Sequence, residues 1–144
     1  MSPQCAQCDG RCCRYVCLEI DTPTTYEEYE NIRWYVAHRD VSVHIDDGDW
    51  YFSVLTPCEM QDDEGRCTIY QNRPKICRTY SSDGCDASGG DYDYEEVFAA
   101  PEQVERYARK ALGAAAFYRA RARARDKPPA RKRKQTGRRG RKAE

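Results

Sequence analysis

The sequence predicts an α+β fold, and three features lead to it. An apolar stripe at helical spacing follows a capping signal near residue 25. Two β-alternating runs flank Asp47-Gly48. The cysteines gather in polar stretches on either side of these elements. With 144 residues the chain is long enough for one domain and too short for two ordinary ones.

Residues 3–20 hold Cys5, Cys8, Cys12, Cys13 and Cys17 in a polar stretch where Asp9-Gly10 marks a turn, so a ligand loop is expected there rather than a core element. Thr24 and Thr25 are each followed three residues on by Glu27 and Glu28, a doubled capping box. Tyr26, Tyr29, Ile32 and Val36 then recur at helical spacing, which predicts a helix over about 24–38. Val41, Val43 and Ile45 alternate with Ser42 and His44, Asp46-Asp47-Gly48-Asp49 turns, and Trp50 to Leu55 is again β-rich: a hairpin. Pro57 closes the second strand before Cys58, and the acidic turn Asp62-Asp63-Glu64-Gly65 leads into Cys67. Pro74 suits the first position of a short helix that carries Cys77 one turn later, and Cys85 lies in the Ser/Asp/Gly loop beyond.

A second long helix is expected from Pro101 to about Arg125, with Val104, Tyr107, Ala108, Ala111, Leu112, Ala115 and Tyr118 as its apolar stripe. From about 126 no core-forming residue remains, and the Lys/Arg/Gly run to Glu144 is expected to be disordered. The organisation that follows is a cysteine-bearing domain over 1–100, a C-terminal helix over 101–125 and a basic tail over 126–144.

Apolar residues make up 40% of the chain and charged ones 33%, but aliphatic side chains are sparse and 11 tyrosines supply much of the large buried surface. So thin a core wants a staple. Nine cysteines can provide it as disulfides in an oxidising compartment or as metal thiolates in a reducing one. The opening Met1-Ser2-Pro3-Gln4-Cys5 has no basic or apolar leader, and no stretch approaches the roughly 20 apolar residues of a membrane span. A cytoplasmic protein with no membrane contact is expected, and the odd cysteine count also fits disulfides poorly.

The cysteines form two groups, Cys5-x2-Cys8-x3-Cys12-Cys13-x3-Cys17 and Cys58-x8-Cys67-x9-Cys77-x7-Cys85. Thiolates are soft ligands for zinc, copper(I) or iron–sulfur clusters, and four complete one shell. Nine exceed it. Adjacent Cys12 and Cys13 side chains diverge on an extended backbone, which suggests two nearby centres, a polynuclear cluster, or one ligand beside a bystander. Cys17, next to Leu18 and Ile20, reads equally well as a small buried hydrophobe. A thioredoxin-like motif at Cys5-x-x-Cys8 lacks the preceding strand it needs.

The head Cys5-x-x-Cys8-Asp-Gly-Arg-Cys12-Cys13, the step Thr56-Pro57-Cys58 and the string Cys67-Thr-Ile-Tyr-Gln-Asn-Arg-Pro-Lys-Ile-Cys77-Arg-Thr-Tyr80 together resemble the YkgJ-like cysteine-cluster (CxxCxxCC) family. The resemblance covers roughly residues 5–90. It implies chelation of zinc or iron, and it marks Cys5, Cys8, Cys12, Cys13, Cys58, Cys67 and Cys77 as the cluster, with Cys85 as the eighth member. Cys17 departs from the family pattern. A related cluster accompanies methyl transfer in flagellin lysine methylases, but residues 1–144 offer no second domain to house a methyl donor. The resemblance therefore implies a metal, zinc or an iron–sulfur cluster, more than an activity. Metal binding and folding are expected to be coupled.

Arg14, Arg73, Lys75 and Arg78 are placed to offset thiolate charge, since an S₄–Zn²⁺ site is formally −2. His38 and His44 are weaker candidates for metal or proton chemistry than the thiolates. Asp91 to Glu96 reads as a solvated loop. No Ser/His/Asp triad, phosphate loop or paired-acid signature appears, so nothing supports a hydrolase or kinase.

The formal charge of zero conceals a division: residues 1–118 carry 11 Lys/Arg against 22 Asp/Glu, a net of −11, and residues 119–144 carry 13 against 2, a net of +11. Residues 119–144 thus read as a disordered solubilising tail, as one that folds back on the acidic body, or as a nonspecific nucleic-acid or ribosome contact. Three function classes follow: a metal-cluster protein with a redox or accessory role, a structural zinc module with a nucleic-acid-binding tail, and an enzyme with a catalytic metal or cluster.

Overall fold

The computed structural model describes residues 8–79 and 93–128. In chain order the elements are β1 (Tyr15–Ile20), α1 (Tyr26–Val36), β2 (Val41–Asp46), β3 (Asp49–Leu55), α2 (Lys75–Thr79), β4 (Glu96–Phe98), α3 (Pro101–Leu112) and α4 (Ala114–Asp126), with 3₁₀ turns at Arg11–Cys13 and Tyr70–Asn72. The strands form one antiparallel sheet in the order β1-β3-β2-β4. The α+β class expected from the sequence is the class observed.

Helix α1 begins where its capping signal lies. Thr25 is the N-cap: its hydroxyl accepts from the Glu28 N–H at 3.3 Å, and the Glu28 carboxylate accepts from the Thr25 N–H at 3.0 Å. Thr24 joins the same carboxylate through its N–H and hydroxyl, so the two threonines share one box instead of forming two. The β2–β3 hairpin turns on Asp47 and Gly48, both at positive φ (50° and 83°), the backbone that a two-residue turn between twisted strands requires.

Three expectations change. Tyr15–Ile20 is a strand and not part of a loop: Val16, Leu18 and Ile20 alternate with Tyr15, Cys17 and Glu19, and the run pairs residue for residue with β3 from Tyr15↔Leu55 to Ile20↔Trp50. The acidic stretch before residue 97 ends in β4, whose Glu96 pairs with Ile45 and Phe98 with Val43. The C-terminal helix breaks at Gly113 (φ 84°, ψ 138°), a conformation open to glycine and strained for other residues. The break resets the helical phase, so Phe117 is buried and Tyr118, expected in the stripe, is half-exposed.

Helices α1, α3 and α4 share one core with the sheet. It contains Tyr26, Tyr29, Ile32 and Val36 of α1, Val43, Ile45, Trp50 and Phe98 of the strands, Val104 and Ala108 of α3, and Phe117 of α4. Trp50 stacks on Phe98 at 5.5 Å between ring centres, and Tyr26 meets Phe117 edge-on at 5.3 Å. Tyr26 and Tyr29 are buried, in keeping with a core poor in aliphatic side chains. Among the described residues no cysteine belongs to this core cluster.

Candidate metal centre

Because β1 and β3 run antiparallel, the start of β1 and the end of β3 lie at the same end of the sheet, and the cysteine segments leave from there. Their pairing continues past the strands: the Thr56 N–H donates to the Arg14 carbonyl at 2.9 Å and the Cys58 N–H to the Cys13 carbonyl at 2.7 Å. Two cysteine segments that are 45 positions apart at this contact are thereby joined backbone to backbone.

The N-terminal segment turns tightly. Gly10 at φ 73° caps the 3₁₀ turn Arg11–Cys13, its carbonyl accepting from the Cys13 N–H at 3.0 Å. The Gly10 N–H donates to Cys8 Sγ at 3.3 Å. The second segment is a small hairpin. Gln61 bridges Cys67, the Thr68 N–H donates to the Met60 carbonyl at 2.8 Å, and Asp62 Oδ1 accepts from the Glu64 and Arg66 N–H groups at the tip. This fold-back sets Met60 and Gln61 beside Cys67 and Thr68. Beyond it, the Arg73 guanidinium lies 3.7 Å over the Tyr70 ring while its Nε donates to the Tyr70 carbonyl at 2.9 Å, and α2 then presents Cys77.

Gln61 joins the two segments. Its Nε2 lies 3.0 Å from the Gly10 carbonyl, 3.0 Å from the Gly65 carbonyl and 3.4 Å from the Asp9 carbonyl. The approach is close enough to require glycine twice: a Cβ on Gly10 would strike the Gln61 side chain and the Gly65 carbonyl, and one on Gly65 (φ 81°) would strike the Asp9 carbonyl. Sequence reasoning passed over Gln61 and gave Gly65 only as part of a turn. Gly65 ends an acidic turn that reads as ordinary hairpin chemistry, and an isolated Gln carries no signal of its own.

The thiols feel one another. The Cys13 pKa is raised above its ordinary value, first by burial and then by the charges of Cys58, Cys67 and Cys77, while a hydrogen bond with Cys12 pulls it down. Cys12, Cys13, Cys58, Cys67 and Cys77 therefore occupy one electrostatic neighbourhood. Among the described residues no three His, Cys, Asp or Glu side chains converge as a metal-holding group. The two findings agree, since Coulomb forces reach well beyond the ~2.3 Å of a zinc–sulfur bond. Cys8, Cys12, Cys13, Cys17, Cys58, Cys67 and Cys77 are not joined in disulfides. Cys5 and Cys85 lie outside the described residues.

Cys17 stands apart, paired with Ser53 inside the sheet. Arg14 is held 3.6 Å from Asp9 and Arg73 by Tyr70, so both shape the loops. His38 closes α1, its Nδ1 at 2.8 Å from the Trp34 carbonyl. His44 is buried on the sheet between the rings of Tyr51 and Tyr94, at 5.3 and 4.1 Å, and burial lowers its pKa while Asp46 works against that shift.

The model of one protein family, CxxCxxCC, described as "Putative zinc- or iron-chelating domain", matches residues 4–110. The chain belongs to the CxxCxxCC family. Its match takes in both cysteine segments and the sheet and ends within α3, leaving α4 and the basic residues beyond it outside the shared region. Membership in the CxxCxxCC family supports metal binding in general terms. No curated protein and no solved structure matches the chain. Among the described residues no helix is long and apolar enough to cross a membrane.

Proposed function

We propose that this protein is a metal-thiolate protein whose centre lies at the open end of the β1–β3 pair, with Cys12, Cys13, Cys58, Cys67 and Cys77 as the inner donors and Cys5, Cys8 and Cys85 completing the set. The observation that carries the reading is the convergence of two distant cysteine segments on one end of the sheet, joined by the Cys58–Cys13 backbone bond and by Gln61. Thiolates in this number suit zinc or an iron–sulfur cluster. Zinc would cross-link the loops; a cluster would add one-electron chemistry and with it a redox or accessory role. The residues of this chain set the backbone geometry, donate N–H groups to sulfur, as Gly10 does to Cys8, and keep Cys13 half-buried.

Anaerobic purification followed by elemental analysis and a visible absorption spectrum tests this. Iron with inorganic sulfide and visible bands supports the cluster, and stoichiometric zinc without colour supports the cross-link. Protein that keeps all its thiols free and takes up neither metal refutes the reading.

A second reading is favoured by a separate observation. Helix α4 presents Arg119, Arg123 and Arg125 to solvent without ion-pair partners among the described residues, at the start of the strongly basic C-terminal stretch. Nucleic-acid contact through residues 119–144 would use these charges.

A further inference from the structure

The charge division shifts once the fold is known. Residues 1–100 carry 8 Lys/Arg against 20 Asp/Glu, a net of −12, and residues 101–144 carry 16 against 4, a net of +12. The boundary falls at the start of α3. The basic part is therefore a folded helical hairpin with a tail, and not a tail alone.

Helices α3 and α4 run antiparallel about Gly113, with two side-chain rungs between them. Arg121 meets Glu105 at 2.8 Å, and Arg109 Nη1 donates to Tyr118 Oη at 3.3 Å. Glu105 also receives Arg33 at 3.4 Å, so this carboxylate is already matched by two guanidiniums. On the side of α3 turned away from Val104 and Ala108, Arg106, Arg109 and Lys110 stand at i, i+3 and i+4. Arg119 and Arg123 stand one turn apart on α4. All five are exposed, and none has an ion-pair partner among the described residues. Glu105 adjoins Arg106 but is taken up by Arg33 and Arg121, and the other acidic residues of the two helices, Glu102 and Asp126, sit at the hairpin's open end. Tyr118, which accepts from Arg109 and precedes Arg119 in the chain, has 49% of its surface exposed.

Five cations without ion-pair partners among the described residues, carried on one helical hairpin with a half-exposed aromatic ring and more basic chain beyond Asp126, match a polyphosphate backbone. They do not match the mixed charge of an ordinary protein surface. We propose that the outer face of the α3–α4 hairpin is a nucleic-acid phosphate-binding surface, with Arg106, Arg109, Lys110, Arg119 and Arg123 as its contacts and Tyr118 as a platform for an unpaired base. This rests on the nucleic-acid reading above and moves the structured part of the contact from the tail into the fold. Binding is independent of sequence, because the contacts are to phosphate.

The test uses the full-length protein as purified and fluorescence anisotropy over a salt series. The probes are a uridine-only RNA and a DNA duplex, each about 20 nucleotides or base pairs long, enough to cover several phosphate contacts. Three variants are compared: R106Q/R109Q/K110Q/R119Q/R123Q, the charge-keeping R106K/R109K/R119K/R123K, and a deletion of residues 128–144. The glutamine variant is expected to bind at least about tenfold more weakly at low salt, with a log–log salt slope smaller by roughly 3.5 to 4.5, at 0.7 to 0.9 per phosphate. The lysine variant stays within about threefold of the parent, since a point charge serves phosphate. The deletion keeps a slope of roughly 3.5 to 4.5 from the hairpin. Tighter binding of RNA than duplex supports the Tyr118 platform, and equal binding removes that part. If the glutamine variant keeps its circular dichroism and binds like the parent, the hairpin surface is refuted while nucleic-acid binding stands on the tail. A deletion that abolishes all binding refutes the hairpin surface even where the glutamine variant does not fold. If the full-length protein binds neither probe at low salt, both readings fall.

Discussion

Replacing Gln61 by alanine removes the amide that bridges three carbonyls from two segments, Asp9 and Gly10 on one side and Gly65 on the other. An amide nitrogen has two protons, so the two 3.0 Å contacts are full hydrogen bonds and the 3.4 Å contact is a weak third. At about 0.5–1.5 kcal/mol net for each full bond, Q61A should cost roughly 1–3 kcal/mol, toward the lower figure because water can reach the partly buried site. If the metal draws the same two segments together, that cost appears as metal affinity weaker by about fivefold to 160-fold. Competition against a chromophoric chelator reads the affinity, and melting of the reduced apoprotein reads the fold. Gln61→Glu sharpens the test. It keeps the size but turns a double donor into a carboxylate facing three carbonyl oxygens, so it should do at least as much damage as alanine. Metal retention and melting of Q61E equal to the parent would refute the argument that donation from this amide holds the segments together.

Serine at Cys58, Cys67 or Cys77 should lower metal content, and serine at Cys17 should spare it, because Cys17 is paired within the sheet; equal losses at all four by elemental analysis would sink this ranking. Chelation of the reduced protein should release the backbone N–H groups of Cys13, Cys58 and Thr68 to fast hydrogen exchange while those of Ile32, Val43 and Val104 stay protected, since among the described residues the core has no cysteine in it. Global loss of protection would show instead that metal supports the whole fold. Because burial holds the folded-state His44 pKa below its ordinary 6.5, the unfolded chain binds the extra proton. Stability should therefore be full above 6.5 and fall as pH drops through it toward the folded value. His44→Gln should flatten that part of a melting-temperature profile, and an unchanged slope would assign it to other groups.

Much of the scaffold was legible because it depends on local rules. Helix α1 starts at the predicted Thr25–Glu28 box, the β2–β3 hairpin turns on Asp47-Gly48, and α2 follows Pro74, each specified by a few neighbouring residues. The missed elements also left local traces. The alternation Val16, Leu18, Ile20 was masked by the cysteines around it, and Gly113 was outweighed by the apolar spacing of a continuous helix. Three-residue β4 had no pattern long enough to detect, and it exists because the edge of β2 was open to pair with it.

By itself the sequence determined the α+β class, the main helix and hairpin, the two cysteine groups and the segregation of charge, since spacing, capping and composition act between near neighbours. Only the tertiary structure decided that Cys13 and Cys58 share a backbone bond, that Gln61 joins loops 51 residues apart from Gly10, and that the basic region begins as a folded hairpin. Those outcomes depend on antiparallel strand pairing and helix packing. Both place residues side by side according to the geometry of the whole chain, which no local window contains.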